Sequence, residues 1–420
     1  MSYEILKNGV LSILSKINVR AVIVITYYLN RVTRRSSMYE PERAVLEIVK
    51  RNSIDVISTL PCEKVSALLQ FVARDRAFCH VGLNREENGV GISAGAFLAG
   101  GKPLMLIQST GLGTLINTLM SLTVTYRLPL PILASWRGVY AENIEAQVPF
   151  GKAVPKLLDA LGLDYTIIES SSQIELVEEV IQDAFDNNRP HIALISPKTC
   201  GRNGRVGDTT VPHQEKTRMV EYTCERKKPE LSRYDAIRTI TEYLSDEAVI
   251  ANIGVPSKEL YAAKDRNLNF YMLGSLGQAS PIGFGVSLKS KRETIVLDGD
   301  GSLQMSNILP VIAEKKPENL TIICLDNGTW GSTGDQPTPS VDLELMAISA
   351  GIENTVTVTT EVELRSTLER LYEEAGPRFL HAVVKPGNAD VDDIPLRAVQ
   401  IKRRFMQALQ LQHHMQHHTL

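Results

Sequence analysis

Short runs of consecutive apolar residues alternate along this chain with longer stretches in which apolar residues recur every three to four positions. In the N-terminal half the runs at 56–60, 104–108, 131–135 and 191–195 read as strands; in the C-terminal half 248–252, 294–297, 320–325 and 379–384 repeat the theme. Helical periodicity fills the intervals, for example at 42–50 and 174–187. Strand and helix in regular alternation is the pattern of parallel α/β layers. It is interrupted once, between Lys198 and Ser232, where Gly201, Gly204, Gly207 and Pro212 precede a charged stretch at 224–230 without sustained apolar period. That is linker composition. The expected organisation is therefore two doubly wound parallel-sheet α/β domains, 38–198 and 232–409, joined by a linker at 199–231. Each has the size of one such domain.

The ends depart from this pattern. Residues 1–37 finish in a basic, polar stretch (Arg31, Arg34, Arg35, Ser36, Ser37), and the helical pattern begins only at Met38. They read as an atypical extension, either appended or an amphipathic interaction helix. At the other end, 410–420 reads as a polar tail carrying His413, His414, His417 and His418.

Composition narrows the function classes. Of 420 residues, 43% are apolar and 22% charged, which is a soluble globular balance. The net charge of -3 and the absence of a long basic block argue against nucleic acid as a partner. The most apolar early stretch, 21–28, is far shorter than the ~20 residues of a spanning helix, so no membrane partner is expected. Five scattered cysteines without a C-x-x-C pair fit a reduced, cytoplasmic chain with no structural zinc site.

The sharpest chemical signal is Leu297-Asp298-Gly299-Asp300-Gly301-Ser302 at the end of an apolar strand, followed one strand later by Asp326-Asn327-Gly328-Thr329. Strand ends in an open parallel sheet are where ligands bind. Gly299 and Gly301 allow close approach of a phosphate. Asp300 offers a carboxylate to a hard cation, Asn327 an amide oxygen and Thr329 a backbone carbonyl, which with phosphate and water oxygens would complete an octahedral Mg²⁺ site. Gly89-x-Gly91 and Gly111-x-Gly113 are not the dinucleotide fingerprint G-x-G-x-x-G, and the first lies within a helical pattern.

The Gly299-Asp300-Gly301 triplet and Asn327, twenty-five residues after Gly301, resemble the signature of thiamine-diphosphate enzymes. The resemblance implies a diphosphate-type domain in the second half, binding thiamine diphosphate through Mg²⁺, and a pyrimidine-type domain of similar fold in the first. The stretch from Asn84 to Gly95 resembles the family segment that supplies one essential glutamate, and the match puts it at Glu87 rather than Glu86. Gln108-Ser109-Thr110-Gly111-Leu112-Gly113 resembles a further family turn, with Leu112 where the family has proline. Gly274-Ser275-Leu276-Gly277 resembles the turn whose bulky residue, here Leu276, bends the cofactor into a V. The loop from Asn252 through Gly254 resembles one on the diphosphate side, with Ser302 and Gly331 adding to that wall.

The loop from Asn327 to Thr338 and the layout of two halves without a third domain resemble the branch of sulfopyruvate and phosphonopyruvate decarboxylases. Leu60-Pro61-Cys62 and Ser135-Trp136-Arg137 fit the sulfopyruvate side best. The implied reaction is decarboxylation of a 2-keto acid bearing a distal sulfonate, on the route to coenzyme M. The alternatives are decarboxylation of a phosphonate or another 2-keto acid, or a non-catalytic Mg²⁺-nucleotide-binding or assembly protein. Arg137 is the preferred cation for the distal anion, with Lys64 and Arg85 behind it; Gln108, Ser109, Thr110, Thr333 and Gly334 are alternative donors. The family further implies a homodimer or higher homo-oligomer with each site between chains.

Overall fold

The computed structural model describes residues 40–200 and 227–416, with side chains to residue 410. The extension at 1–37, most of the linker, and His417 and His418 lie outside the described residues. The first sheet comprises β1 (Val56–Thr59), β2 (Cys79–Gly82), β3 (Pro103–Gln108), β4 (Leu130–Ser135), β5 (Asp164–Ile168) and β6 (Pro190–Ile195). Its order is β2-β1-β3-β4-β6-β5, with every pairing parallel. The second sheet comprises β7 (Ala248–Ala251), β8 (Asn269–Tyr271), β9 (Thr294–Gly299), β10 (Leu320–Asp326), β13 (Asn354–Val358) and β14 (Arg378–Val383), again all parallel, in the order β13-β14-β10-β9-β7-β8. A two-stranded antiparallel hairpin, β11 (Thr329–Trp330) and β12 (Gln336–Pro337), is inserted after β10.

Numbered by its own six strands and viewed from the β8 edge, the second sheet has the order 2-1-3-4-6-5, which is that of the first. In this topology the chain reverses its winding between strands 1 and 3, and the carboxyl ends of those strands open a crevice there. The eight strands marked by apolar runs are the inner ones. The four without such runs, β2, β5, β8 and β13, are the outermost. Most are thinly covered: in β5 only Ile168 is fully buried and in β13 only Val358. Inner strands such as β4 and β7 are buried at every residue and need apolar side chains on both faces.

The two halves meet through equivalent helices. The helix Glu86–Leu98 follows strand 2 of the first sheet, and Ala279–Ser287 follows strand 2 of the second. They cross at glycines: a methyl on Gly95 would strike the Ile282 carbonyl, and one on Gly285 the Ile92 carbonyl. The offset of three residues is the same in both directions, so the crossing is pseudo-twofold. One apolar cluster runs through this crossing from sheet to sheet, and a second fills the other face of the first sheet. Ser232 and Asp235 form a capping box at the start of the helix Arg233–Glu242, which fixes where the second half begins. At the far end the last helix, Ala398–Gln416, carries its backbone through the segment read as a polar tail.

Candidate active site

The crevice of the second sheet lies between the carboxyl ends of β7 and β9. A cavity of about 200 Å³ opens there, walled by Asn252, Leu276, Asp300, Asn327 and Trp330. Gly299, Gly301, Ser302, Thr329, Gly331 and Thr333 complete the wall, so most residues expected on the diphosphate side converge. A larger cleft of about 450 Å³ lies beside the β13 edge, lined among others by Glu353, Arg370 and Arg378. It is remote from the strand ends where this topology places ligands.

Burial dominates the electrostatics at the end of β9. Asp298 is 1% exposed and accepts from the Ser280 hydroxyl at 2.6 Å and the Gly299 N–H at 2.9 Å. Asp300 is 3% exposed and accepts from Thr338 Oγ1 at 2.5 Å. Desolvation raises the carboxyl pKa of both above the ordinary value. Asp300 is thus a buried acid without a cationic partner among its hydrogen bonds.

The donor set around it fits a hard divalent cation. One end of the Asn327 amide lies 2.9 Å from the Thr329 carbonyl and 3.3 Å from Asp300 Oδ1, two acceptors, while the other end pairs with Thr329 Oγ1 at 3.0 Å. An NH₂ at that position satisfies both acceptors. With the amide turned over, its oxygen joins them as a third, and three converging oxygens are what Mg²⁺ takes from a protein. Among the described residues no cluster of three or more His, Cys, Asp or Glu side chains could hold a metal. The set here has one carboxylate and relies on amide and carbonyl oxygens.

The hairpin β11–β12 closes over this point. Thr338 N–H donates to the Gly328 carbonyl at 3.0 Å, and Trp330 lies flat over Gly301, where any Cβ would enter its ring. The indole above it is one reason for glycine at 301, and the sequence alone does not show it. The hairpin is moored from the chain's other end: Asn388 Nδ2 donates to the Gly331 carbonyl at 2.8 Å, and Arg233 donates to Asn388 Oδ1 at 2.8 Å. Arg233 also forms a buried two-point pair with Glu259 at 2.8 and 3.1 Å. Neither Arg233 nor Asn388 carries a local sequence signal; residues 155 apart meet only in the fold.

Leu276 is held by a strained turn. Ser275 (φ 65°) and Gly277 (φ 85°) are both left-handed, and the Gly277 N–H donates to Ser302 Oγ at 3.2 Å. Such a conformation is costly for serine. Ser275 meets Ser121, from the π-helical turn Leu119–Val124 of the first half, at 2.5 Å. Gly254 (φ 79°) caps the helix Val255–Ala263 beside the cavity residues Ile253 and Pro256.

At the crevice of the first sheet the two adjacent glutamates face different neighbours. Glu87 pairs with Arg85 at 2.7 Å, and Arg85 in turn donates to the Met305 carbonyl at 2.9 Å, so this pair braces the two halves. Glu86 is 8% exposed, presses its carboxyl against Gly111 and accepts from Thr114 Oγ1 at 3.4 Å. The carboxylate that faces the Ser109-Thr110-Gly111 turn is Glu86. One helix step, about 100°, separates the two, and residue spacing alone did not resolve it.

None of the three expected anion-binding cations is free. Lys64 pairs with Glu63 at 3.5 Å, Arg85 with Glu87, and Arg137, 4% exposed, with Glu142 at 2.6 Å. Ser109 Oγ accepts from the Arg137 backbone N–H at 2.9 Å. Thr333 and Gly334 sit at the hairpin tip, on the edge of the other sheet from Gln108, Ser109 and Thr110. Cys62, Cys79, Cys200 and Cys324 are free thiols, and no described helix is long and apolar enough to cross a membrane.

Comparison with known proteins agrees with this geometry. The family described as thiamine pyrophosphate enzyme, C-terminal TPP binding domain, matches residues 257–382, which span β8 to β14. Sulfopyruvate decarboxylase of Methanosarcina acetivorans is 48% identical over 88% of this chain and 97% of its own length. Phosphonopyruvate decarboxylase of Streptomyces viridochromogenes is 29% identical over 84% of this chain and 90% of its own. The beta subunit of sulfopyruvate decarboxylase from Methanococcus maripaludis is 40% identical over 43% of this chain and 98% of its own, so one half here has the extent of a whole subunit there. With its two like-folded halves fused, the chain belongs to the sulfopyruvate decarboxylase family.

Proposed function

We propose that this protein decarboxylates 3-sulfopyruvate to sulfoacetaldehyde and carbon dioxide, as a carboxy-lyase on the route to coenzyme M. The observation that carries the reading is the convergence of the Asp300 carboxylate, the Thr329 carbonyl and the Asn327 amide, whose oxygen would complete a trio when turned inward, at the switch point of the second sheet, in a chain 48% identical to a sulfopyruvate decarboxylase. Thiamine diphosphate, when bound, supplies the electron sink for the pair released as carbon dioxide departs.

The chain's own residues have distinct tasks. In this reading Asp300, Asn327 and Thr329 would hold Mg²⁺, whose charge would offset the cost of burying the carboxylate at 300. Gly299, Gly301, Ser302, Gly331 and the helix N-terminus capped by Gly254 surround the diphosphate, where unpaired N–H groups favour anions. Leu276, fixed between left-handed Ser275 and Gly277, props the cofactor from below. Glu86, in place of Glu87, would hold a proton at the pyrimidine ring nitrogen of the bound cofactor. The segments 38–198 and 232–409 serve as pyrimidine-type and diphosphate-type domains.

The cavity wall draws only on residues 233–333, so Glu86 of the same chain does not line it. Leu273 and Met305, each three residues along the chain from the cavity residues Leu276 and Ser302, are exposed. Both features support a homodimer in which the Glu86 edge of one chain faces the Asp300 edge of another. Supplying purified protein with Mg²⁺, thiamine diphosphate and either sulfopyruvate or phosphonopyruvate, and assaying each aldehyde, tests the activity. Sulfoacetaldehyde formed at least about tenfold faster, about 1.4 kcal/mol of discrimination, is expected. Equal or reversed rates would remove the sulfonate assignment.

A further inference from the structure

We propose that Glu142 is an internal occupant of the sulfonate site: it holds the Arg137 guanidinium until the substrate's distal anion takes its place. This rests on the decarboxylase reading above and adds to it the residue pair that selects the substrate.

Four cationic side chains are buried among the described residues: Arg137, Arg233, Arg378 and Lys402. Three are engaged in packing, Arg233 and Arg378 within the second half and Lys402 between the halves. Arg233 is bound by Glu259 and Asn388, Arg378 by Glu293, Thr321 and the Glu374 carbonyl, and Lys402 by the Arg127 carbonyl. Arg137 is held differently. Its Nε donates to Glu142 Oε2 at 2.6 Å and its Nη1 reaches only Cys62 Sγ at 3.8 Å, while Nη2 is buried with no partner. A buried guanidinium normally satisfies its whole fork of donors, because an unmade bond there is costly. The open Nη2 is a site for a further anionic oxygen.

Its position suits the substrate. Arg137 follows β4 and hydrogen-bonds through its backbone to Ser109, the start of the turn whose Gly111 abuts Glu86. The adjacent Thr110 hydroxyl is also buried without a partner. A sulfonate has three oxygens, enough to take Nε and Nη2 together with one to spare, whereas Glu142 takes Nε alone.

The loop bearing Glu142 is built to let go. Tyr140 (φ 53°) and Ala141 (φ 61°) are consecutive left-handed residues, neither glycine nor asparagine. Such a pair persists only where surrounding contacts hold it. Residues 143–146 beyond it are exposed, Ile144 included. The ion pair lowers the Glu142 carboxyl pKa to about 2, so at neutral pH the stand-in is itself an anion. Exchange therefore swaps one negative charge for another at Arg137 and returns the carboxylate to water, where it is well solvated.

The test uses holoenzyme with Glu142→Gln and Arg137→Lys, measuring KM and kcat for sulfopyruvate, inhibition by isethionate and by pyruvate, and isethionate binding by calorimetry. Glu142→Gln should lower the isethionate dissociation constant and the sulfopyruvate KM about threefold to tenfold relative to the pyruvate inhibition constant, since a weaker internal competitor remains. Arg137→Lys, which keeps the charge but loses the fork, should raise both about tenfold. If Glu142→Gln shifts sulfonate and pyruvate constants in parallel, or leaves isethionate binding unchanged, the pair is purely structural and the inference is overturned. Failure of the parent enzyme to release sulfoacetaldehyde would instead overturn the decarboxylase reading, and the isethionate measurement would still decide the exchange.

Discussion

The two sheets share one strand order, yet the same crevice carries opposite equipment in each. After strand 3 of the second sheet comes Gly299-Asp300-Gly301, a buried acid facing the Asn327 amide; after strand 3 of the first comes Ser109-Thr110-Gly111, with no charge. After strand 2 the roles reverse, with Glu86 in the first half and Ser275-Leu276-Gly277 in the second. In the proposed reading, identical topology carries an anchoring edge in one half and an activating edge in the other. The fold supplies two crevices, and a handful of side chains decides which chemistry each serves. The crossing of equivalent helices at Gly95 and Gly285 holds these two edges in a fixed relation.

Substitutions can separate the two roles. The largest effect is expected at the activating edge. Glu86→Gln should retain the cofactor but lose about 10²–10⁴ in kcat, the range of a proton-handling group, while Glu87→Gln should stay within about tenfold of the parent. Steady-state rates of both variants decide, and the reverse ranking would return the role to Glu87. At the anchoring edge, Asp300→Ala should weaken Mg²⁺-dependent cofactor binding by about 100-fold, a loss of the size seen when ligation is disturbed. Titration with thiamine diphosphate at fixed Mg²⁺, followed by Trp330 fluorescence, measures it. Undiminished binding would contradict the oxygen trio.

Smaller effects test what joins the edges. Gly95→Ala forces a methyl against the Ile282 carbonyl and should cost about 1–3 kcal/mol of stability, seen as a lowered Tm with both halves unfolding earlier. Asn388→Ala removes the mooring of the hairpin over Asp300. It should cost about 1 kcal/mol, read as weaker cofactor binding with little change in Tm.

How much of this was legible in the sequence follows from where residues sit. Inner strands such as β4 and β10 must be apolar on both faces and announce themselves as continuous runs. The outermost strands are short or mixed, as in Cys79–Gly82 and Asn354–Val358, and leave no such run. That Asp300 and Asn327 meet was readable because a strand end and its neighbour keep a fixed spacing along the chain. The choice between Glu86 and Glu87 depends on which side of one helix turn faces Gly111, and residue spacing does not record it. The Arg233–Glu259–Asn388 mooring and the Trp330–Gly301 contact unite residues distant in sequence, for which no local pattern exists. Arg137 was singled out by its residue type, but its burial against Glu142 depends on a loop conformation that only the structure reveals.

Whether the activating and anchoring edges of one site come from different chains is tested most directly by complementation. Glu86→Gln and Asp300→Ala chains, each inactive alone, are mixed under conditions of subunit exchange, with differently tagged chains shown to co-purify. A mixed dimer holds one doubly defective site and one intact site, so an equal statistical mixture should regain about a quarter of parental sulfopyruvate decarboxylation. Exchange without recovered activity would contradict the account, because Glu86 and Asp300 would then have to meet within a single chain.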